Sequence, residues 1–378
     1  MAVLTKLFAW ADNPQGLISL QSGVDCFREG MMSKVCSSVM FFFGFGLSQV
    51  SWANNQSSIC SYLDDNRYAY CSDDESLLGS ENNLNKYFMK FDGYHAGNNE
   101  RQMYRQGQVH WDGADNIVTL IAELKTSGAY PFTSGEIKTQ GKYVLTQDHE
   151  KKEITHGAIE VTAQIPYDSG RWPAIWMMPD YDAAHVWPSG MEIDILEFMR
   201  PPFPVTGTIH YGLEGKNIAT GASWNYNNNE DLPNAPTPAT RINNDWHNYG
   251  LEWDVDPSQA KLTWYFDGQP FYQINLRHEN GSYSAEMLNP RTGEKKPLIC
   301  QPWTNRCPSQ PSGGHISLAE AAYRSFRNGF ASGYYLIINM AIGGNGVSPE
   351  PSTEPGIFPY TEMKVSQVHR YIISARDS

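Results

Sequence analysis

Three carboxylates fall within six residues of the segment Met191-Glu192-Ile193-Asp194-Ile195-Leu196-Glu197, interleaved with large aliphatic side chains. Side chains alternate between the faces of a strand, so Glu192 and Asp194 share one face while Ile193 and Ile195 point the other way into a core. Glu197 comes one residue late for that alternation. A β-bulge around Ile195-Leu196 inserts the extra residue that returns Glu197 to the acidic face. A helix scatters the same positions around its axis and yields neither an apolar nor an acidic stripe.

Like charges on one sheet face repel and desolvate one another, so at least one of the three acids holds its proton to higher pH than a free Glu. Acid and base then stand in one place. One protonated and one ionised carboxyl flanking a scissile bond is what glycoside hydrolysis requires. On a flat strand the two outer acids have Cα atoms about 13 Å apart or more. A concave sheet with Glu-length side chains leaning inward closes their tips to about 5 Å, the spacing of a retaining mechanism.

The elements that must hold these acids read as β structure. Ile159, Val161, Ala163 and Ile165 alternate with Ala158, Glu160, Thr162 and Gln164, the pattern of a half-buried strand. Trp264-Tyr265-Phe266-Asp267-Gly268-Gln269-Pro270-Phe271-Tyr272 reads as a hairpin turning at Asp-Gly. Short strands punctuated by Gly and Pro fit an all-β sandwich. Residues 225–240 and 279–314 read as long loops, and 317–328 as a short helix. Trp253 and Trp264 alternate with Tyr249, Leu251 and Phe266 and are assigned to the core. Trp172, Trp176 and Trp187 lie just before the acidic strand. Sugars present flat C–H faces ringed by hydroxyls, so these three are candidates for stacking on substrate.

The chain resembles glycoside hydrolase family 16, and within it the laminarinase-like endo-β-1,3-glucanases. The resemblance rests on Gly170-Arg171-Trp172-Pro173-Ala174-Ile175-Trp176-Met177-Met178-Pro179, Trp187-Pro188-Ser189-Gly190 and the acidic heptapeptide. It continues through Thr208-Ile209-His210-Tyr211-Gly212, Trp246-His247-Asn248-Tyr249-Gly250-Leu251-Glu252-Trp253, Trp264-Tyr265-Phe266-Asp267-Gly268 and Ile337-Ile338-Asn339-Met340-Ala341-Ile342-Gly343-Gly344. The extra residue between Asp194 and Glu197 resembles laminarinases, agarases and carrageenases. The segment Phe198-Met199-Arg200-Pro201-Pro202 departs from many laminarinases by lacking a Gly there.

The resemblance implies a concanavalin A-like β-jelly-roll sandwich of two antiparallel sheets with a concave substrate cleft. It implies Glu192 as nucleophile, Glu197 as general acid/base and Asp194 as the acid between them. Trp172, Trp176, Trp187 and His210 are implied as substrate-binding residues, His210 near the leaving group. No cofactor and no metal at the cleft are implied, although some members carry a structural calcium elsewhere. The implied substrate is a β-1,3-glucan, including mixed-linkage β-1,3-1,4-glucan. Agar or carrageenan hydrolysis, transglycosylation to a sugar hydroxyl, and carbohydrate binding without catalysis stand as alternatives.

The first 53 residues read separately. Met31-Met32-Ser33-Lys34, the apolar run 35–47 and Ser51-Trp52-Ala53 have the basic start, apolar stretch and small-residue end of a secretory signal peptide. Residues 1–53 are therefore assigned to an N-terminal extension plus a signal at 31–53, with translation starting at Met31 or Met32. Residues 54–378 are assigned to a single catalytic domain. The apolar run is shorter than the roughly 20 residues of a membrane span. An exported chain, extracellular or periplasmic, leaves Cys60, Cys71, Cys300 and Cys307, for which local spacing favours Cys60–Cys71 and Cys300–Cys307 disulfides. The net charge of −13 disfavours nucleic acid as a partner and fits a neutral polysaccharide, acted on by a monomer free of the membrane after signal cleavage. Nucleophile elbows, phosphate-binding Gly-rich loops and His-Glu-x-x-His zinc motifs are missing from the sequence.

Overall fold

The computed structural model describes residues 58–375 apart from 66–68, 96, 126–127, 167, 181–185, 200–205, 214, 224–244, 299–315, 348, 354–357 and 359. The expectations for the N-terminal extension and signal, the loop 225–240 and the Cys300–Cys307 pair lie outside these residues. Two sheets carry the fold. The smaller has seven described strands in the order Lys216–Ser223, Thr206–Leu213, Glu192–Glu197, Arg171–Pro179, Tyr334–Ile342, Glu136–Lys138 and Met89–Lys90, every pair antiparallel.

The larger sheet has twelve described strands, with His247–Val255, His156–Gln164 and Thr361–Ala375 as central neighbours. One of its pairs, Gln102–Tyr104 with Phe132–Ser134, is parallel, so this sheet is not wholly antiparallel as expected. Between the sheets lies a continuous apolar core including Ile193, Ile195, Leu196, Ile209, Leu251, Trp253, Leu262, Trp264 and Ile338. Trp253 and Trp264 are both core residues, at 1% and 0% exposure. Truncating a buried Trp costs about 3–5 kcal/mol, so such residues anchor one sheet to the other. The ring of Trp264 lies so close to Gly207 that a Cβ there would sit 2.5 Å from its Cδ1; only glycine permits this approach.

Local chemistry explains where the sequence reading needs correction. The strand His156–Gln164 is buried on both faces, not one: Glu160 and Thr162 are 5% and 4% exposed. Its outer face is covered by the helix Ile59–Asp65, whose Ile59 and Leu63 pack with Ala158, Tyr265 and Ile373. The Cys60–Cys71 disulfide ties this helix to the strand Ala69–Leu78. The stretch 279–314, read as a loop, begins as a hairpin with strand Ser282–Leu288 and then strand Lys295–Pro297. Its turn is Asn280-Gly281, both left-handed with φ of 50° and 76°, which suits a two-residue hairpin turn. Asp267-Gly268 turns the other hairpin the same way, with φ of 47° and 71°. The C-terminal helix runs Leu318–Ser332, four residues beyond expectation; Ser317 caps it by accepting from the Glu320 N–H at 3.0 Å, and Gly333 ends it.

Candidate active site

The bulge is present where the acid spacing demands it. Against Arg171–Pro179, Asp194 pairs with Trp176 and Glu197 with Ala174, so three steps on one strand answer two on the other. Against Thr206–Leu213, Glu192 pairs with His210, Asp194 with Thr208 and Glu197 with Thr206. Ile195 and Leu196 therefore both enter the core, at 2% and 0% exposure, while all three acids share the opposite face. An irregular ladder leaves backbone groups to be satisfied by other means. Here the indole Nε1–H of Trp264 donates to the Asp194 carbonyl at 2.8 Å, so the far sheet holds the bulge in place. The residue before the acids, Met191, is buried with a left-handed φ of 58°, a conformation costing about 1–2 kcal/mol for a side chain of this kind.

Two ladder rows lay out the floor of the site. One reads Thr208, Asp194, Trp176, Ile337, Lys138; the next reads Thr206, Glu197, Ala174, Asn339, Glu136. Trp187, 45% exposed, donates its Nε1–H to Glu192 Oε2 at 2.8 Å. Trp172 donates to Glu197 Oε1 at 3.1 Å. Trp176 donates to Asn339 Oδ1 at 2.7 Å, and Asn339 in turn donates to the Tyr104 hydroxyl at 2.7 Å. His210 Nε2 lies 3.4 Å from Asp194 Oδ2 and 3.8 Å from Glu192 Oε1, while its Nδ1 meets the Asn217 side chain. All seven residues proposed from sequence thus occur on or beside one face. His210 stands opposite Glu192.

Among the described residues three carboxylate oxygens, Glu136 Oε1, Asp194 Oδ2 and Glu197 Oε2, are buried without a hydrogen bond. Burial pushes Glu192 up to about 7, against the Trp187 hydrogen bond, which favours its ionised form. Glu197 is likewise pushed up to about 7 by burial; His210 opposes this, the Glu192 charge adds to it, and Trp172 opposes it. Asp194 is raised well above the usual carboxylate range by burial first, then by Glu197 and Glu192. Burial lowers His210 despite Glu197 and Asn217. Such a cluster keeps one proton among several acids near neutral pH and can serve as nucleophile and proton donor together.

Asn339, Asn217 and Tyr104 were not singled out from sequence. Asn339 carried one signal, a lone amide in the apolar run Tyr334–Ile342, where all nine residues are buried. Asn217 reaches the site through the pairing of its strand with Thr206–Leu213 and Tyr104 through its contact with Asn339 from the other sheet, and neither carried a signal.

Residues 98–293 match the family model for glycosyl hydrolases family 16. The chain belongs to that family. It is 26% identical over 282 residues to glucan endo-1,3-beta-glucosidase A1 of Niallia circulans, covering 71% of this chain and 32% of that one. It is 24% identical over 265 residues to the glucan endo-1,3-beta-glucosidase of Cryptopygus antarcticus, covering 68% of this chain and 74% of the relative. The chain thus spans about a third of the first relative's length and about three-quarters of the second's. Its fold matches the X-ray structure of the endo-beta-1,3-glucanase from Pyrococcus furiosus at a TM-score of 0.50 and 20% identity, covering 82% of this chain and 95% of that chain.

Proposed function

We propose that residues 54–378 act as a retaining endo-β-1,3-glucanase. Glu192 is the nucleophile, Glu197 the general acid/base, and Asp194 the acid between them. The observation that carries this reading is the bulge, which sets Glu192 and Glu197 on one face with a tryptophan N–H on each. The Trp187 N–H at 2.8 Å steadies negative charge on Glu192, leaving Oε1 to attack. Glu197 Oε2, buried without a partner, is where the proton rests.

In the first step Glu192 Oε1 bonds to the anomeric carbon as the glycosidic C–O bond breaks, and Glu197 gives its proton to the departing oxygen. In the second, Glu197 takes a proton from water, the water oxygen bonds to the anomeric carbon, and Glu192 departs as carboxylate. Two inversions restore the starting configuration. Trp172, Trp176 and Trp187 line the cleft for sugar stacking, and His210 stands beside the nucleophile. Neutral β-1,3-glucan fits the acidic chain and the names borne by its relatives.

Export is part of the proposal, because the Cys60–Cys71 disulfide suits an oxidising compartment. Among the described residues no helix is long and apolar enough to cross a membrane. The test is reducing-end release from laminarin, lichenan, agarose and carrageenan. Release from laminarin in excess of the others supports the assignment, and none from laminarin ends it.

A further inference from the structure

Glu192, Asp194 and His210 each offer one ligand-capable atom, and these atoms all lie within 4.8 Å of one another. We infer that these three residues form a binding site for a divalent transition-metal cation, Zn2+ foremost, and that the cation blocks catalysis by occupying the Glu192 nucleophile.

The spacing carries the inference. His210 Nε2 lies 3.4 Å from Asp194 Oδ2 and 3.8 Å from Glu192 Oε1. Hydrogen bonds between such atoms run about 2.7–3.2 Å, so both separations are too long for one. Ligands bound to zinc at about 2.0–2.1 Å in tetrahedral geometry stand about 3.4 Å from each other, a spacing that the His210–Asp194 pair already has and that Glu192 reaches by a small inward shift of its side chain. Asp194 Oδ2 is buried and accepts no hydrogen bond, and the residue is 2% exposed. It is an acceptor aimed at a space where a cation would meet it.

The surroundings fix the remaining atoms. Glu192 Oε2 is held by the Trp187 N–H, so Oε1 is the oxygen left facing His210. Asn217 meets Nδ1 with its side-chain oxygen at 3.3 Å and its nitrogen at 3.0 Å; in the tautomer whose Nδ1–H donates to that oxygen, the Nε2 lone pair of His210 points at the two carboxylates. That arrangement sets a lone pair against two anions, which a cation between them relieves. Outer partners of this kind orient metal-binding imidazoles and carboxylates generally. One imidazole with two carboxylates suits zinc better than calcium or magnesium, which prefer more numerous oxygen ligands. The side chains of Glu192 and His210 are each 17% exposed, leaving a path for the ion and for a water as fourth ligand. No sequence spacing announces the site, because His210 comes from the neighbouring strand.

The site itself rests on the coordinates alone; its inhibitory consequence rests on the glucanase reading. Calorimetric titration of zinc chloride into the full chain and its variants tests it, with any background binding at other imidazoles or thiols common to all. His210→Ala is expected to weaken the site by more than about tenfold, and Asn217→Ala by about tenfold. Equal Zn2+ affinity in wild type and His210→Ala, or no Zn2+ binding by the wild type, overturns the inference. A second measurement needs no variant. Saturating laminari-oligosaccharide should diminish the Zn2+ heat of the unaltered protein to its background level, and undiminished Zn2+ binding to protein that holds oligosaccharide overturns it. If the chain binds no laminari-oligosaccharide, the glucanase reading falls while a His210-dependent Zn2+ heat still supports the site.

Discussion

Two sets of buried acids face away from the core of this molecule, one from each sheet, and they differ in how their oxygens are met. On the outer face of the larger sheet, Glu252 accepts from Tyr265 Oη at 2.6 Å and pairs with His156 Nε2 at 2.9 Å. Nearby Glu160 accepts the Ile59 N–H at 2.8 Å beneath the covering helix. On the smaller sheet, Asp194 and Glu197 are as deeply buried, yet each keeps an oxygen with no hydrogen bond. In these two sets, the acids that hold the fold together are satisfied within it, and the acids kept for chemistry each retain an acceptor position with no partner. Burial alone does not separate the two sets, since it also raises Glu160 to about 7.

Substitution should divide the sets sharply. Glu192→Gln and Glu197→Gln are expected to lower kcat on laminarin by about 10²–10⁴-fold or more without loss of fold, as removal of a positioned acid or base does. Steady-state rates alongside circular dichroism check this. Glu252→Gln should do the reverse, leaving kcat unchanged while costing about 1–3 kcal/mol of stability in denaturant titration, because one of its partners then faces a donor.

The cleft acids should also burden the fold in a pH-dependent way. Glu197 is raised in the folded state, so the unfolded chain releases that proton first as pH rises from about 4.3. Folding stability therefore falls between there and about 7 and stays lowered above. Glu197→Gln removes the penalty and should gain on the order of 1–3 kcal/mol at pH 8, with little gain at pH 4. Melting temperatures at the two pH values read the difference; equal gains at both would break the comparison.

The smallest effect is the sharpest. Trp187→Phe deletes the N–H that lowers Glu192, so the acid limb of the kcat/KM profile should move to higher pH by up to about one unit. The alkaline limb, set by loss of the Glu197 proton, should stay in place.

Much of this site was legible in sequence because its decisive feature is local. Two consecutive apolar residues, Ile195 and Leu196, between acids two and three apart already required a bulge, and the coordinates show one. What holds the bulge was not legible: Trp264 reaches the Asp194 carbonyl from the other sheet, seventy residues away in the chain. Asn217 and His210 meet through strand register, which no single sequence displays. In the larger sheet, the alternation of His156–Gln164 reads as one exposed face because the helix that covers it comes from a hundred residues earlier. Asn280-Gly281 did carry its turn signal, and the surrounding polar composition masked it.

The central claim is that Glu192 bonds covalently to the sugar while Glu197 moves the proton. Incubation with a 2-deoxy-2-fluoro laminaribioside bearing an activated leaving group, followed by proteolysis and mass spectrometry, tests it most directly. The account predicts a single adduct, esterified to the side-chain carboxylate of Glu192. An adduct on Asp194 or Glu197, or products released with inverted anomeric configuration and no adduct at all, would contradict it.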